Sequence, residues 1–276
     1  VTIAAGVLFA LMKSLHTDIL LATFQKANGR YLAAAAALLI PNLGVQWVKW
    51  HYLLTRVDSA LPRRDSLKSL LAGFPLGMMT PGQLGEIGRG WMIYHIPKKT
   101  TLTLAVIDKA SNLIVSVAFG LVAILFSRTA GWERLSLSAV FLIAGAAAIF
   151  KFSAAPAALQ HTGLNAKNYL WVFFYSALFY FIFMLQLLVL ILSFQSFNFL
   201  EGLTAAAGAF LVKTLLPISF GDLGIREGAA VFFFSKISVS AAAAFNAAIL
   251  LFVINVAGPT LIGLYVLFEK SKITNG

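Results

Sequence analysis

In the stretch TPGQLGEIGRG, residues 80–90, an acid and a base, Glu86 and Arg89, stand three positions apart among a proline and four glycines. A second stretch, SFGDLGIREG at 219–228, carries Asp222, Arg226 and Glu227, and the apolar runs hold two further sites, Asp108-Lys109 and Lys213. At i, i+3 and i, i+4, Glu86 and Arg89, and Asp222 and Arg226, share a helical face and can pair locally. Asp108 and Lys109 are neighbours and must reach partners on other elements. A charge at the centre of a bilayer costs about 2.5–3.5 kcal/mol on insertion scales. Eight of them, four cations against four anions, therefore need a reason. The chemistry they suit is the reception of a charged headgroup: Arg89 and Arg226 would take a phosphate, and the carboxylates would balance the cations and screen headgroup charge. The alternative is that the charges only pair with one another, and an apolar interface would do that at lower cost.

The breaks themselves contribute. Thr80-Pro81-Gly82-Gln83 has the form of a capping box with proline at the first helical position, and Ser219-Phe220-Gly221-Asp222 is a looser version. A helix that starts there leaves N–H groups and a positive dipole end free, and Gly82, Gly85, Gly221 and Gly224 let an anion approach the backbone. No catalytic constellation, metal-ligand spacing or phosphate-binding GxxxxGK[ST] motif occurs, so no enzyme activity, metal or cofactor is expected. The four histidines, His16, His51, His95 and His161, are scattered, and there is no cysteine.

The elements that would position these residues are membrane helices. Only 11% of the 276 residues are charged, 60% are hydrophobic, and the mean hydropathy is +0.87. Such values exclude a soluble domain. The net charge of +11 fits basic loops facing anionic headgroups better than nucleic acid. The expected fold is an all-α polytopic membrane protein of about six transmembrane helices plus two re-entrant helical hairpins. The spans fall at about 1–12, 31–54, 101–127, 134–151, 169–193 and 239–268, the last kinked at Gly258-Pro259. The hairpins fall at about 69–94 and 202–235, with one kinked full span in each place as the alternative. The apolar run begins at Val1 with no cleavable signal pattern.

TPGQLGE at 80–86 matches SFGDLGI at 219–225, and at nearly the same offset Lys13 falls on Lys151 and Tyr31 on Tyr169. One membrane domain thus divides into two copies, 1–130 and 131–276. Three spans separate the hairpins, so the copies form an inverted-topology repeat with a site at the midplane. Basic residues from Arg56 to Lys68, with Lys98, Lys99, Lys151, Lys167, Lys270 and Lys272, put that side and both termini in the cytoplasm. Trp47, Trp50, His51 and Tyr52 read as an interfacial belt to which Lys49 snorkels. The Phe-rich runs 171–183 and 231–234 read as lipid-facing or packing surface. Asn246 and Asn255 could line the path or bond between helices, and the small residues of 202–210 suit close packing.

PGQLGEIGRG, VIDKASNLIV and LLPISFGDLGIREG together resemble the lysylphosphatidylglycerol synthase transmembrane (flippase-like) family over roughly residues 1–268. The resemblance implies carry-over to Glu86, Arg89, Asp108, Lys109, Arg226 and Glu227. Asp108-Lys109 stands where such proteins often have Glu-Arg. In fused members an aminoacyl-transferase follows the membrane region. These 276 residues contain none, so the chain reads as a stand-alone member and lipid synthesis is not implied. The resemblance implies instead a flippase moving a polar lipid, with a phospholipid headgroup (anionic or aminoacylated) or a glycolipid-type one, between the leaflets of a bacterial cytoplasmic membrane. Two other readings are a membrane partner or enzyme in lipid-linked sugar or lipid modification, and a non-transporting scaffold subunit.

Overall fold

A computed structural model describes residues 17–126, 162–217, 219 and 221–274. It is all-helical, with no strand among those residues. The expected spans at 1–12 and 134–151, and the Lys13–Lys151 correspondence, lie outside them. In chain order come α1 (Thr17–Gln25), α2 (Gly29–Ala37), α3 (Leu39–Thr55), α4 (Arg63–Met78), a 3-10 segment (Leu84–Met92) and α5 (Lys98–Phe126). Then follow α6 (Ala166–Leu192), α7 (Phe199–Leu215), α8 (Ile225–Ser235), α9 (Ala241–Phe252), a π turn (Val253–Ala257) and α10 (Gly258–Thr274). Four stretches are long and apolar enough to cross a membrane: Gly29–Thr55, Lys98–Ala123, Ala166–Leu192 and Ala241–Glu269. They match four of the expected spans. The short helix α1 has no counterpart in the sequence reading.

Prolines account for two irregularities. Pro41 cannot donate to Ala37, and the Gly29–Thr55 stretch is interrupted between Ala37 and Leu39. Pro259 cannot donate to Asn255, and the ladder widens into the π turn just before it, with Gly258 N–H bonding Val253 O five residues back. The disturbance expected at Gly258-Pro259 therefore sits one turn earlier, as a π turn.

α4 and the 3-10 segment pack face to face after a turn at 79–83, and α7 and α8 do so after a turn at 221–224. Gly73 and Gly77, four apart on α4, provide the room: a Cβ at Gly73 would stand 3.2 Å from the Arg89 Cβ, and one at Gly77 2.6 Å from the Glu86 Cγ. The face of Gly85 and Gly88 lies against Leu76, close enough that a Cβ at Gly85 would strike the Leu76 carbonyl. Gly208 admits the Phe233 ring in the same way and Gly120 admits Leu211, so the small residues of 202–210 serve packing within this chain. Of the Phe-rich runs, Phe174 and Phe232 are exposed, while Phe183 and Phe234 are buried.

The two turns share an unusual backbone. Gly82 and Gln83 have φ of 58° and 57°, and Gly221 and Asp222 have 59° and 60°. Two consecutive left-handed residues define each bend, and glycine takes the first position in both. The turns also touch: Gly82 N–H donates to Ser219 C=O at 3.1 Å, and Gly82 is pressed against Pro217.

The last helix closes the first hairpin. Pro75 leaves the Leu71 carbonyl without its helical donor, and Gly263 of α10 lies directly over that carbonyl. A Cβ at Gly263 would collide with Leu71 O and come within 2.7 Å of Pro75 Cδ. Gly263→Ala is expected to destabilise the protein by about 1–3 kcal/mol through overpacking. Denaturant unfolding in detergent micelles checks it, and an unchanged midpoint would mean that α10 does not dock as seen.

Candidate functional site

The ionic residues form two layers. In the inner layer Asp108 of α5 holds two cations: its Oδ1 is 2.7 Å from Lys49 Nζ, and its Oδ2 pairs with Arg89 Nη2. Lys49 also donates to Asn112 Oδ1 at 2.6 Å and to Ser176 Oγ at 3.1 Å. The Arg89 guanidinium lies 4.1 Å from the Trp50 ring centroid. Trp50 Nε1–H donates to Ser69 Oγ, and the Ser69 hydroxyl donates to the Arg89 carbonyl. Lys49 is 1% exposed, Trp50 0%, and Arg89 and Asp108 6% each.

Two expectations are corrected here. Lys49 does not snorkel and Trp50 is no belt residue, because α3 turns both into the protein to meet Asp108 and Arg89. The other aromatic residues of that helix end are anchored through polar atoms: Trp47 Nε1–H donates to Ser66 Oγ and to Arg63 O, His51 Nδ1 lies 3.1 Å from Ser66 Oγ, and Tyr52 OH donates to Asn168. The sequence carried a signal for Lys49. Asn42, Gln46 and Lys49, at i, i+4 and i+7, make a polar stripe on an apolar helix, answered by Asp108, Asn112 and Ser116 at i, i+4 and i+8 on α5.

The outer layer surrounds a cavity of about 220 Å³. Both turns reach its wall, through Gly82-Gln83 and through Pro217 and Asp222. Its charged lining among the described residues is Glu86, Lys109, Lys213, Asp222 and Arg226, three cations against two anions. Both carboxylates are taken: Lys109 Nζ is 2.9 Å from Glu86 Oε2 and 3.0 Å from the Gln83 carbonyl, and Lys213 Nζ is 3.0 Å from Asp222 Oδ2. Local pairing of Glu86 with Arg89 and of Asp222 with Arg226 is therefore replaced by pairing between elements. Glu86 and Arg89 reach successive residues of α5, Lys109 and Asp108, and Asp222, with its left-handed backbone, reaches Lys213 of α7.

Arg226, the third cation, is 1% exposed. Its Nη2 donates to the Gly221 carbonyl at 3.0 Å, while Nε and Nη1 have no hydrogen-bond partner. Glu227 turns the other way, accepting the Gly224 N–H and standing off the cavity wall. Ser116, which bonds the Tyr180 hydroxyl and Thr214 Oγ1, completes a polar edge. Asn255 lines the cavity and donates to Gln186, whereas Asn246 bonds the Leu20 carbonyl away from it.

The helix starts also differ from expectation. Regular structure resumes at Leu84, not at Pro81, and at Ile225, because the left-handed pairs intervene. The Thr80 hydroxyl accepts the Gly85 N–H at 2.6 Å, and Glu227 accepts that of Gly224, so these donors are already engaged. Among the described residues no cluster of three His, Asp or Glu side chains could hold a metal.

This geometry is that of a multi-pass helical membrane protein with a partly charged cavity. A family model described as the lysylphosphatidylglycerol synthase TM region matches residues 1–263, and the chain belongs to that family, whose role is membrane-lipid-related. No curated protein matches the chain significantly.

Breaking a buried ion pair from one side costs about 3–5 kcal/mol because it strands a charge. Asp108→Asn, which strands two cations, is expected to destabilise more than Lys49→Met, which leaves Arg89 paired. Unfolding midpoints of the two variants in detergent check the order, and equal midpoints would show that Arg89 does not depend on Asp108.

Proposed function

We propose that this protein moves a polar phospholipid between membrane leaflets, with the headgroup passing through the cavity where the two turns meet. The observation that carries the reading is the cavity itself: a charged, roomy space walled by both helix breaks, in a chain whose long helices are apolar. A space of this kind in a membrane protein is costly to maintain and suits a polar passenger.

Both helix pairs act as re-entrant hairpins in this reading. α4 and α7, of 16 and 17 residues, extend only about 24–26 Å at 1.5 Å per residue, and the 9-residue 3-10 segment and the 11-residue α8 are shorter still. Each falls short of a roughly 30 Å hydrocarbon core. The matching left-handed pairs at Gly82-Gln83 and Gly221-Asp222 support the inverted repeat of 1–130 and 131–276, whose hairpins meet tip to tip near the midplane. The side rich in basic residues faces the cytoplasm of a bacterial inner membrane, with both termini on that side.

Of the eight ionic residues, Glu86, Lys109, Lys213, Asp222 and Arg226 contact the headgroup, while Arg89, Asp108 and Glu227, with Lys49, hold the hairpins in place. Arg226 is the available phosphate ligand; Arg89 is committed to Asp108.

The test is lipid transfer in proteoliposomes, comparing the native chain with Ser116→Leu, which puts apolar bulk at the cavity edge. Native protein is expected to move headgroup-labelled phospholipid faster than protein-free vesicles, and Ser116→Leu, compared as folded protein, to slow it several-fold. Transfer no faster than in empty vesicles would sink the reading.

A further inference from the structure

We infer that the cavity recognises its passenger through hydroxyl groups, so that the headgroup beyond the phosphate is a neutral polyol or sugar. The lipid in this inference rests on the translocation reading; the hydroxyl chemistry rests on the cavity wall alone.

Charge gives a headgroup no preference here. Glu86 is bound to Lys109 and Asp222 to Lys213, at 2.9 and 3.0 Å. Arg226 lies in the field of Asp222, and the fully buried Glu227 beside it keeps Oε1 unpartnered. Among the described residues, three cations thus stand against three anions.

The remaining polarity of the wall is neutral. Asn42, Gln46, Asn112, Ser116, Thr214 and Asn255 supply amides and hydroxyls. Asn42 and Asn255, 1% and 7% exposed, each keep one buried atom without a hydrogen-bond partner, Asn42 Nδ2 and Asn255 Oδ1. Their orientations follow from their other bonds. Gln46 Nε2 donates to Asn42 Oδ1 at 2.8 Å. Gln186 Nε2 donates to the Ala35 carbonyl, so its Oε1 is left to accept from Asn255 Nδ2, also at 2.8 Å. The wall therefore presents one spare amide donor and one spare amide acceptor, besides the unpartnered Nε and Nη1 of Arg226. A buried polar atom left unpaired costs about 1–3 kcal/mol.

A phosphate diester only accepts hydrogen bonds and an ammonium only donates them. A hydroxyl does both and brings no charge to desolvate. The Arg226 nitrogens suit the phosphate, and the two amides suit the hydroxyls that follow it. Aromatic rings supply much of the rest of the lining: Phe183 stacks with Phe210 at 4.8 Å between centroids and with Phe179 at 5.9 Å. The C–H groups of a polyol or sugar ring can rest on such negative ring faces. The space, about 220 Å³, far exceeds the roughly 10–15 Å³ that one water needs.

Short-chain, water-soluble phosphatidylglycerol and phosphatidylpropanol make the cleanest comparison, because they share charge and a three-carbon headgroup and differ by two hydroxyls. Both can be titrated calorimetrically onto the purified full chain in an amine-oxide detergent, which carries no hydroxyl, with phosphatidylethanolamine and free glycerol as further ligands. Phosphatidylglycerol is expected to bind at least tenfold more tightly than phosphatidylpropanol; a site built for a hydroxyl rejects the analogue that lacks it, whereas an apolar pocket would favour the propyl group. Asn42→Leu and Asn255→Leu, compared as folded proteins, are each expected to narrow that margin. Equal affinities, which would leave the amides to water alone, overturn the inference. So does tighter binding of phosphatidylethanolamine, or an unchanged margin in both folded variants. Free glycerol binding as tightly as phosphatidylglycerol would make a soluble polyol the ligand and overturn the lipid assignment. If the variants do not fold, the ranking on the native chain decides alone. Hydroxyl-ranked binding without transfer in vesicles would sustain this inference and remove the translocation reading; transfer without that ranking would do the reverse.

Discussion

A helix that stops inside a protein leaves N–H and C=O groups that must find partners there, and the architecture around the two turns answers that demand. The Gly82 N–H takes the Ser219 carbonyl, the Thr80 hydroxyl takes the Gly85 N–H, and Glu227 takes that of Gly224. Because each turn is completed partly by the other, neither can be placed alone. The left-handed residue pairs bring the chain back on itself within a few residues, and the glycines of α4 let the returning segment lie flush. The cavity is the space left beside this junction.

Charge is distributed in the same economical way. Asp108 gathers Lys49 and Arg89 from two other elements and so ties α3, the 3-10 segment and α5 together in the interior. Lys109, the next residue, points to the cavity and holds Glu86. Adjacent residues on one helix thus serve opposite ends of the design, one sealed among Trp50, Ser176 and Asn112, the other at the cavity wall. Across the cavity Lys213 and Asp222 form another such cross-element pair, and Arg226 donates to the Gly221 carbonyl.

Much of the framework could be read from the residues. The apolar runs placed four long helices to within a few residues, and Pro81, Gly82 and Gly221 marked where two helix pairs turn. The charged residues singled out from their setting include every ionic residue on the cavity wall among the described residues. What escaped was partner choice. Glu86 and Arg89 stand one 3-10 turn apart and share a face, yet each takes its partner from α5, Lys109 and Asp108, so a rule for local pairs misassigned both. Lys49 was read as interfacial because it lies near the end of an apolar run beside Trp47 and Trp50. Its true partner is 59 positions away on α5, and proximity of that kind is set by helix packing, which leaves only the faint trace of a polar stripe along α3.

The contact of Gly263 with the Leu71 carbonyl has a bearing on how the chain is made. α4 and α10 are separated by nearly two hundred residues, which a ribosome needs about 10–40 s to add. Throughout that interval the carbonyl freed by Pro75 has no α10 to cover it, and the first hairpin waits as a half-built wall. Its maturation ends when the last helix slides its glycine face over α4.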